Sequence, residues 1–321
     1  MAISLAASKR ALCNPAPIDI SDPDLVPDVE IRVPVGVNLT LLGATHTDIP
    51  GEDPQASFAQ RVNMPLLVSS VSAAYQGSID AITLDCDFHV QPWATRQSAP
   101  LDGVTTAGKL AHVGKTPRLC AQVPSDPTYI REAVALLTSS RVKEAAVMIT
   151  LQDMPDFHEF QRAADDARAA GVQMWLLARN PDFTAAHAHM VARMFDVVRV
   201  RMADSAKVRQ MRFALREQAA KLRREIDVYV EIGIVISASL QAAEERALLL
   251  SELNGTELFH NMASVVGTVS DVADAVDSWV GMGAADGVIF TPASLPTDLA
   301  SVLKGVLPLL QARALLEEAE C

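Results

Sequence analysis

The sequence predicts one α/β domain, a (β/α)8 barrel over residues 35–321 with an irregular N-terminal arm over residues 1–34. Three observations predict it. Short apolar runs alternate with longer helical periods eight times. The connections are too short to separate domains, and 321 residues with 50% hydrophobic content can bury one large core. Such alternation requires parallel strands joined by helical crossovers, and eight units of this kind close on themselves. A doubly wound open sheet shares the periodicity and is the alternative.

Residues 1–34 are rich in Pro, Asp and Ala and hold no period, so they read as an arm that wraps the body or packs on a partner. The first apolar run, residues 35–43, reads as a buried strand. A helix at 65–75 and a strand at 79–86 follow, with a polar loop to Pro100. A helix at 101–113 leads to a strand at 118–123. Pro127, at a first helical turn, opens a helix to 137 before the strand at 145–151. Gly171 stops a helix at 157–170 ahead of the strand at 172–178. Helix 183–194, strand 197–202, an arginine-rich helix at 206–224, strand 228–235 and an extra helix at 240–253 complete the middle of the chain.

The last unit is the clearest. Thr268 or Ser270 caps a helix with Val272, Val276, Trp279 and Val280 on one face, and Gly281 and Gly283 end it. A short strand at 287–290 follows. A closing helix begins at Pro296, with apolar positions Leu299, Val302, Leu303, Val306, Leu309 and Leu310.

Composition narrows the function. With 27 basic and 39 acidic residues the formal charge is −12, which argues against nucleic acid or an anionic membrane as partner, since phosphate contacts need clustered Lys and Arg. Cys13, Cys86, Cys120 and Cys321 lie far apart without CxxC spacing, so reduced thiols in a cytoplasmic protein are expected. Lys9 and Arg10 follow the apolar residues of the N-terminus, the reverse of a signal peptide. No apolar run approaches the ~20 residues of a membrane span.

Several motifs fail on spacing. Gly114-Lys115-Thr116 precedes its strand, so its amides cannot form a strand-loop-helix phosphate cradle. Gly281, Gly283 and Gly287 are spaced for helix termination instead of a dinucleotide turn. His187 and His189, two apart on one expected helix, face different directions and read as surface imidazoles, not a metal pair.

In a barrel of this kind chemistry belongs to the loops after the C-terminal strand ends. Those ends offer Thr45 and His46; Asp85, Asp87 and His89; Gln122 and Ser125; Thr150 and Gln152; Arg179 and Asn180; Arg201; and Thr291. The mouth is therefore polar, with at least two imidazoles and two guanidiniums, and suits an anionic ligand. His46 and His89 are candidate acid-base groups, against the plainer reading of loop residues. Asp85 either meets a cofactor ring or caps its loop. Arg179 and Asn180, before a helix starting near Pro181, could hold a phosphate or merely cap that helix. Glu231, in a buried strand, must be paired, with Arg199 or Arg201 on the neighbouring strand as partner.

The terminal stretch also resembles the C-terminal signature of the luciferase-like flavin-dependent monooxygenases, in their alkanesulfonate and nitrilotriacetate monooxygenase branch. Gly267, Thr268, Trp279, Val280, Gly283, Ala284, Asp286, Gly287, Pro292, Pro296, Leu307, Pro308, Leu309, Leu310 and Gln311 carry the resemblance. Upstream, residues 79–85, 101–113, 196–200 and 228–253 are similar to family elements. The resemblance implies a bacterial luciferase-like barrel that uses FMN, reduced by a partner flavin reductase, and oxygen on a small organic substrate. It implies that Asp85, Gln122, Gln152, Arg179 and Asn180 bind the cofactor, that His46 or His89 moves protons, that no metal is needed and that the chain is a homodimer. The turn at 178–183 has neither Ser nor Gly where relatives hold the flavin phosphate, and the lid-like insertion after the fourth strand is missing. Two further readings therefore stand beside it: an oxidoreductase using the deazaflavin coenzyme F420, and a non-catalytic barrel acting as a binding or assembly subunit.

Overall fold

The computed structural model describes residues 33–44, 61–151, 157–255 and 257–319. Nine parallel strands run through them: β1 (Val35–Asn38), β2 (Ala81–Leu84), β3 (Arg118–Gln122), β4 (Ala145–Ile149), β5 (Val172–Ala178), β6 (Val197–Val200), β7 (Asp227–Ile236), β8 (Ala263–Gly267) and β9 (Gly287–Pro292). Strands β1 to β7 pair in sequence order, β7 pairs with β9, and β9 returns to β1. The ring is closed, which removes the open doubly wound sheet and leaves the eight-stranded barrel.

The ninth strand corrects the expected count of eight. Residues 229–234 of β7 pair with β9 along one edge; on the other edge residues 227–230 pair with β6 and residues 232–236 with β8. Strand β8 thus takes up the edge of β7 where β6 leaves it. Only Ala263 and Gly267 of β8 are buried, so its sequence shows neither alternation nor a solid apolar run, and it merges with the start of the next helix.

Helices α1 (Met64–Gln76), α2 (Asp102–Ala111), α3 (Pro127–Ser139), α4 (Phe157–Ala169), α5 (Pro181–Ala186), α6 (Ala188–Met194), α7 (Ser205–Lys221), α8 (Leu240–Asn254) and α9 (Val269–Gly281) intervene between the strands. Local chemistry starts them. Asp126 accepts from Thr128 N ahead of Pro127, Asp204 accepts from Ala206 N and Lys207 N, and Thr268 forms a reciprocal capping box with Asp271. The helix expected over 183–194 is two helices. His187 lies between α5 and α6, its ring 4.3 Å from that of Phe183, so His187 and His189 do not share a helix.

The chain closes with α10 (Thr297–Ser301), a π-helical turn at Val302–Val306, and α11 (Leu307–Ala319). The stretch Thr297–Leu316 is long and apolar enough to cross a membrane by length and composition, which corrects the expectation that no apolar segment approaches that size. Lys304 interrupts the apolar run but not the helix. In the fold, Leu299, Val302, Val306, Leu307 and Leu310 of this stretch are buried in the barrel's outer core.

Strand alternation divides the interior into two cores. Outward residues such as Val37, Ile82, Val147, Leu176, Val198, Val230 and Phe290 pack against the helices. The inward residues Ala81, Cys120, Ala146, Met148, Trp175, Leu177, Val197, Tyr229 and Ile289 fill the lumen. Above this lower plug, the inward positions change to Asn38, Thr83, Asp85, Arg199 and Glu231, all buried and all polar.

Candidate active site at the barrel mouth

The polar layer of the lumen is a closed charge network. Arg199 is 0% exposed; its Nη1 donates to Asp85 Oδ1 at 2.6 Å and to Thr83 Oγ1 at 3.1 Å, and its Nε to Glu231 Oε2 at 3.0 Å. Arg201, one turn of the pleat higher, donates from Nε to Glu231 Oε2 at 2.8 Å and from Nη2 to Asp85 Oδ2 at 2.9 Å. Asn38 Nδ2 donates to Asp85 Oδ2 at 3.1 Å and Thr291 Oγ1 to Glu231 Oε1 at 2.8 Å. Thr40 Oγ1 accepts from Asp85 N at 2.7 Å and donates to Asn38 Oδ1 at 2.6 Å, tying the network to β1.

Two carboxylates face two guanidiniums, and their remaining valences are met by neutral donors, the condition under which buried charges persist. Burial would raise the Glu231 carboxyl, but Arg199 and Arg201 outweigh it and hold it well below its ordinary value, at about 2. Burial alone would lower the Arg199 guanidinium, whereas Asp85 and Glu231 keep it above its usual value. Glu231, expected to find Arg199 or Arg201, binds both.

Beside this network a cavity of about 600 Å³ opens at the C-terminal ends of β2 to β5. Its wall includes Cys86, Gln122, Ser125, Tyr129, Thr150 and Arg179, with Arg96 and Pro100 from the loop before α2. The volume lies in the range of roughly 300–1,000 Å³ common to small-molecule sites. The Gln122 amide is fixed in place: Oε1 accepts from Cys86 N at 3.2 Å and Nε2 donates to Thr150 Oγ1 at 2.9 Å. Ser125 Oγ donates to the Thr150 carbonyl. Val123, Pro124 and Leu151 add apolar surface.

Arg96 donates to Asp87 Oδ1 at 2.5 Å, an exposed pair open to solvent competition. Arg179 is exposed and makes no ion pair among the described residues. Burial, and then the neighbouring Asp87 carboxylate, push the Cys86 thiol up, so it stays protonated at neutral pH.

A second cavity of about 300 Å³ shares Thr150, Leu151 and Arg179 with the first and adds Asn180, Phe183 and Val191. Asn180 Oδ1 accepts from Phe183 N at 3.0 Å, so this side chain caps α5. Phe183 lines that smaller cavity, packs on His187 and leaves the larger one open.

The structure therefore brings Gln122 and Arg179 to the main cavity and Asn180 to its neighbour. Asp85 lies in the network, outside the cavity wall. His89 is 6% exposed, with Nδ1 3.9 Å from the Asp102 carboxylate, and does not reach the wall. His46 and Gln152 lie outside the described residues. Arg96 and Tyr129 were missed because they sit one loop or one helical turn beyond the strand ends. A search of the polar loop at 87–100 for cations would have found Arg96.

No family model matches the chain, and no curated protein sequence does. Solved structures do. EDTA monooxygenase from Chelativorans sp. BNC1 is similar at a TM-score of 0.62 and 14% identity, over 88% of this chain and 94% of that one. The oxygenating constituent of 3,6-diketocamphane monooxygenase from the CAM plasmid of Pseudomonas putida, in complex with FMN, gives 0.52 at 10% identity over 86% and 96%. Coenzyme F420-dependent tetrahydromethanopterin reductase from Methanopyrus kandleri gives 0.54 at 11% identity over 87% and 99%. The chain thus shares the (β/α)8 barrel fold of these solved structures.

Proposed function

We propose that this protein is a flavin- or deazaflavin-dependent oxidoreductase whose cofactor occupies the cavity between Arg96 and Arg179, and within that class a monooxygenase using reduced FMN. The observation that carries the reading is the open, basic cavity of about 600 Å³ at the strand ends, where barrel enzymes do their chemistry. Its size and donor set fit a phosphate-bearing planar ring. Bound in reduced form, such a cofactor supplies the electrons for oxygen insertion or hydride transfer.

The chain's own residues do the rest. Arg179, which has no ion pair among the described residues, takes the phosphate bidentately. Gln122, held between Cys86 N and Thr150 Oγ1, presents a fixed polar edge, and Val123, Pro124, Leu151 and Tyr129 displace water from one side of the ring. Asp85 keeps its place under the floor through Arg199 and Arg201, supporting β2 without touching the ligand. Among the described residues the wall of this cavity carries no imidazole, which leaves His46 as the proposed proton carrier. In this reading a separate flavin reductase supplies reduced FMN, and the chain works as a homodimer in the cytoplasm.

The test is titration of the purified protein with FMN, with FMN reduced under anaerobic conditions, and with coenzyme F420, read by calorimetry and thermal shift. Saturable binding to one of them, weakened by Arg179→Ala, is expected. No binding to any of the three overturns the reading and leaves a barrel that serves as a binding or assembly subunit.

A further inference from the structure

The wall of the mouth cavity contains a chain of hydrogen bonds whose direction is settled by its first member. Cys86 N is a backbone amide and can only donate, so the Gln122 atom 3.2 Å from it is the carbonyl oxygen Oε1. The other end of that side-chain amide is then Nε2, which also can only donate, and it meets Thr150 Oγ1 at 2.9 Å. Gln122 is buried, and the reverse placement of its amide would set two N–H groups face to face.

Thr150 therefore accepts a hydrogen bond and has its own hydrogen still to give. Its hydroxyl carries one hydrogen and two lone pairs, and the Gln122 contact takes a lone pair. Among the described residues no atom accepts from this hydroxyl. The backbone of Thr150, just past the end of β4, is held separately, its carbonyl accepting from Ser125 Oγ. The residue lines both cavities of the mouth, the one of about 600 Å³ and its neighbour of about 300 Å³. Its hydrogen is thus left to what enters them. Hydrogen bonds aligned head to tail polarise one another, so a hydroxyl that already accepts from Gln122 is a stronger donor than an isolated one.

We propose that Thr150 is a specificity-determining contact of this site, donating its hydroxyl hydrogen to an acceptor on the ligand's ring, a carbonyl oxygen or an unprotonated ring nitrogen. The inference rests on the cofactor reading given above, in which the ring belongs to FMN and Arg179 takes the phosphate. It adds the polarity of one contact: the ring edge that faces Thr150 presents an acceptor. Gln122 acts through Thr150 as a positioning residue, since its buried amide, oriented by Cys86 N, is what leaves the hydroxyl hydrogen for the cavity.

The experiment is calorimetric titration of the full-length protein with FMN, oxidised and anaerobically reduced, together with the visible absorption spectrum of the bound oxidised form. Thr150→Val keeps the shape and removes the hydroxyl; it should weaken binding about three- to tenfold and shift the visible bands, which respond to hydrogen bonds on the ring. Thr150→Ser should restore both. Thr150→Ala serves the same comparison if Thr150→Val does not fold. Gln122→Glu puts a second oxygen where Nε2 stood, and that oxygen takes the Thr150 hydrogen. It should therefore weaken FMN more in the presence of Thr150 than in Thr150→Val, where only the added charge acts. Unchanged affinity and bands in Thr150→Val, while Arg179→Ala weakens binding, overturn this proposal and leave the cofactor reading standing. A loss that Thr150→Ser does not restore also overturns it. No binding of either form of FMN to the unaltered protein overturns the FMN reading and this proposal together.

Discussion

Two pairs of arginines at the same end of the barrel have opposite fates. Arg199 and Arg201 project into the lumen and are each paired with both Asp85 and Glu231. Arg96 and Arg179 stand at the rim of the same mouth, one in an exposed pair with Asp87 and the other without an ion pair among the described residues. The residue type is the same in both places, but its surroundings are not. In the lumen a guanidinium without a carboxylate is too costly to keep, so charge there serves architecture. At the rim water meets the cost, so charge stays available for a ligand.

The largest effect should come from breaking the lumen pair. Arg199→Met leaves two buried carboxylates sharing Arg201 and should lower stability by about 3–5 kcal/mol, read by denaturant unfolding. A retained unfolding midpoint would show that the network is not structural. Next comes pH. Because the folded Glu231 carboxyl lies below its ordinary 4.5, its contribution is complete above that value and is lost as pH falls toward about 2. Glu231→Gln should flatten the acid limb of the stability profile in that window.

The rim should behave in the opposite way. Arg179→Ala should weaken cofactor binding by roughly 1.5–3 kcal/mol, about ten- to a hundredfold, while moving the thermal midpoint little, since the side chain is exposed. Loss of folding with unchanged affinity would invert the comparison. The lower end supplies a smaller contrast of sign. Burial, and then Asp286, raise the Asp227 carboxyl, so its ionised form opposes folding at neutral pH; Asp227→Asn should raise the unfolding temperature slightly. The smallest effect is expected from Arg96→Ala, no more than about 1 kcal/mol of stability, because its pair with Asp87 is solvent-exposed.

Much of this was legible in the chain. The alternation of apolar runs with capped helices fixes eight units, and the strand-end rule points to Gln122 and Arg179 on the cavity wall and to Asp85 beneath it. That Glu231 needs an arginine follows from its place in a buried strand. The misses share one cause. Strand β8 shows no periodicity of its own because it lies on an edge of β7 with only its ends buried. Arg96 and Tyr129 reach the cavity from a loop and a helix whose approach depends on how those segments fold over the rim.

Sequence alone determined most of the units of this protein: eight of its nine strands, the helices between them with the one exception over 183–194, and the side chains that face inward. Those properties depend on local periodicity and capping, which act within a few residues. Tertiary structure decided the rest: that the sheet closes through β9, that two inward arginines are paired with two inward acids, and that Arg96 and Arg179 border one open cavity. Each of these depends on distances between residues far apart in the chain, such as the 114 positions between Asp85 and Arg199, and no local pattern encodes them.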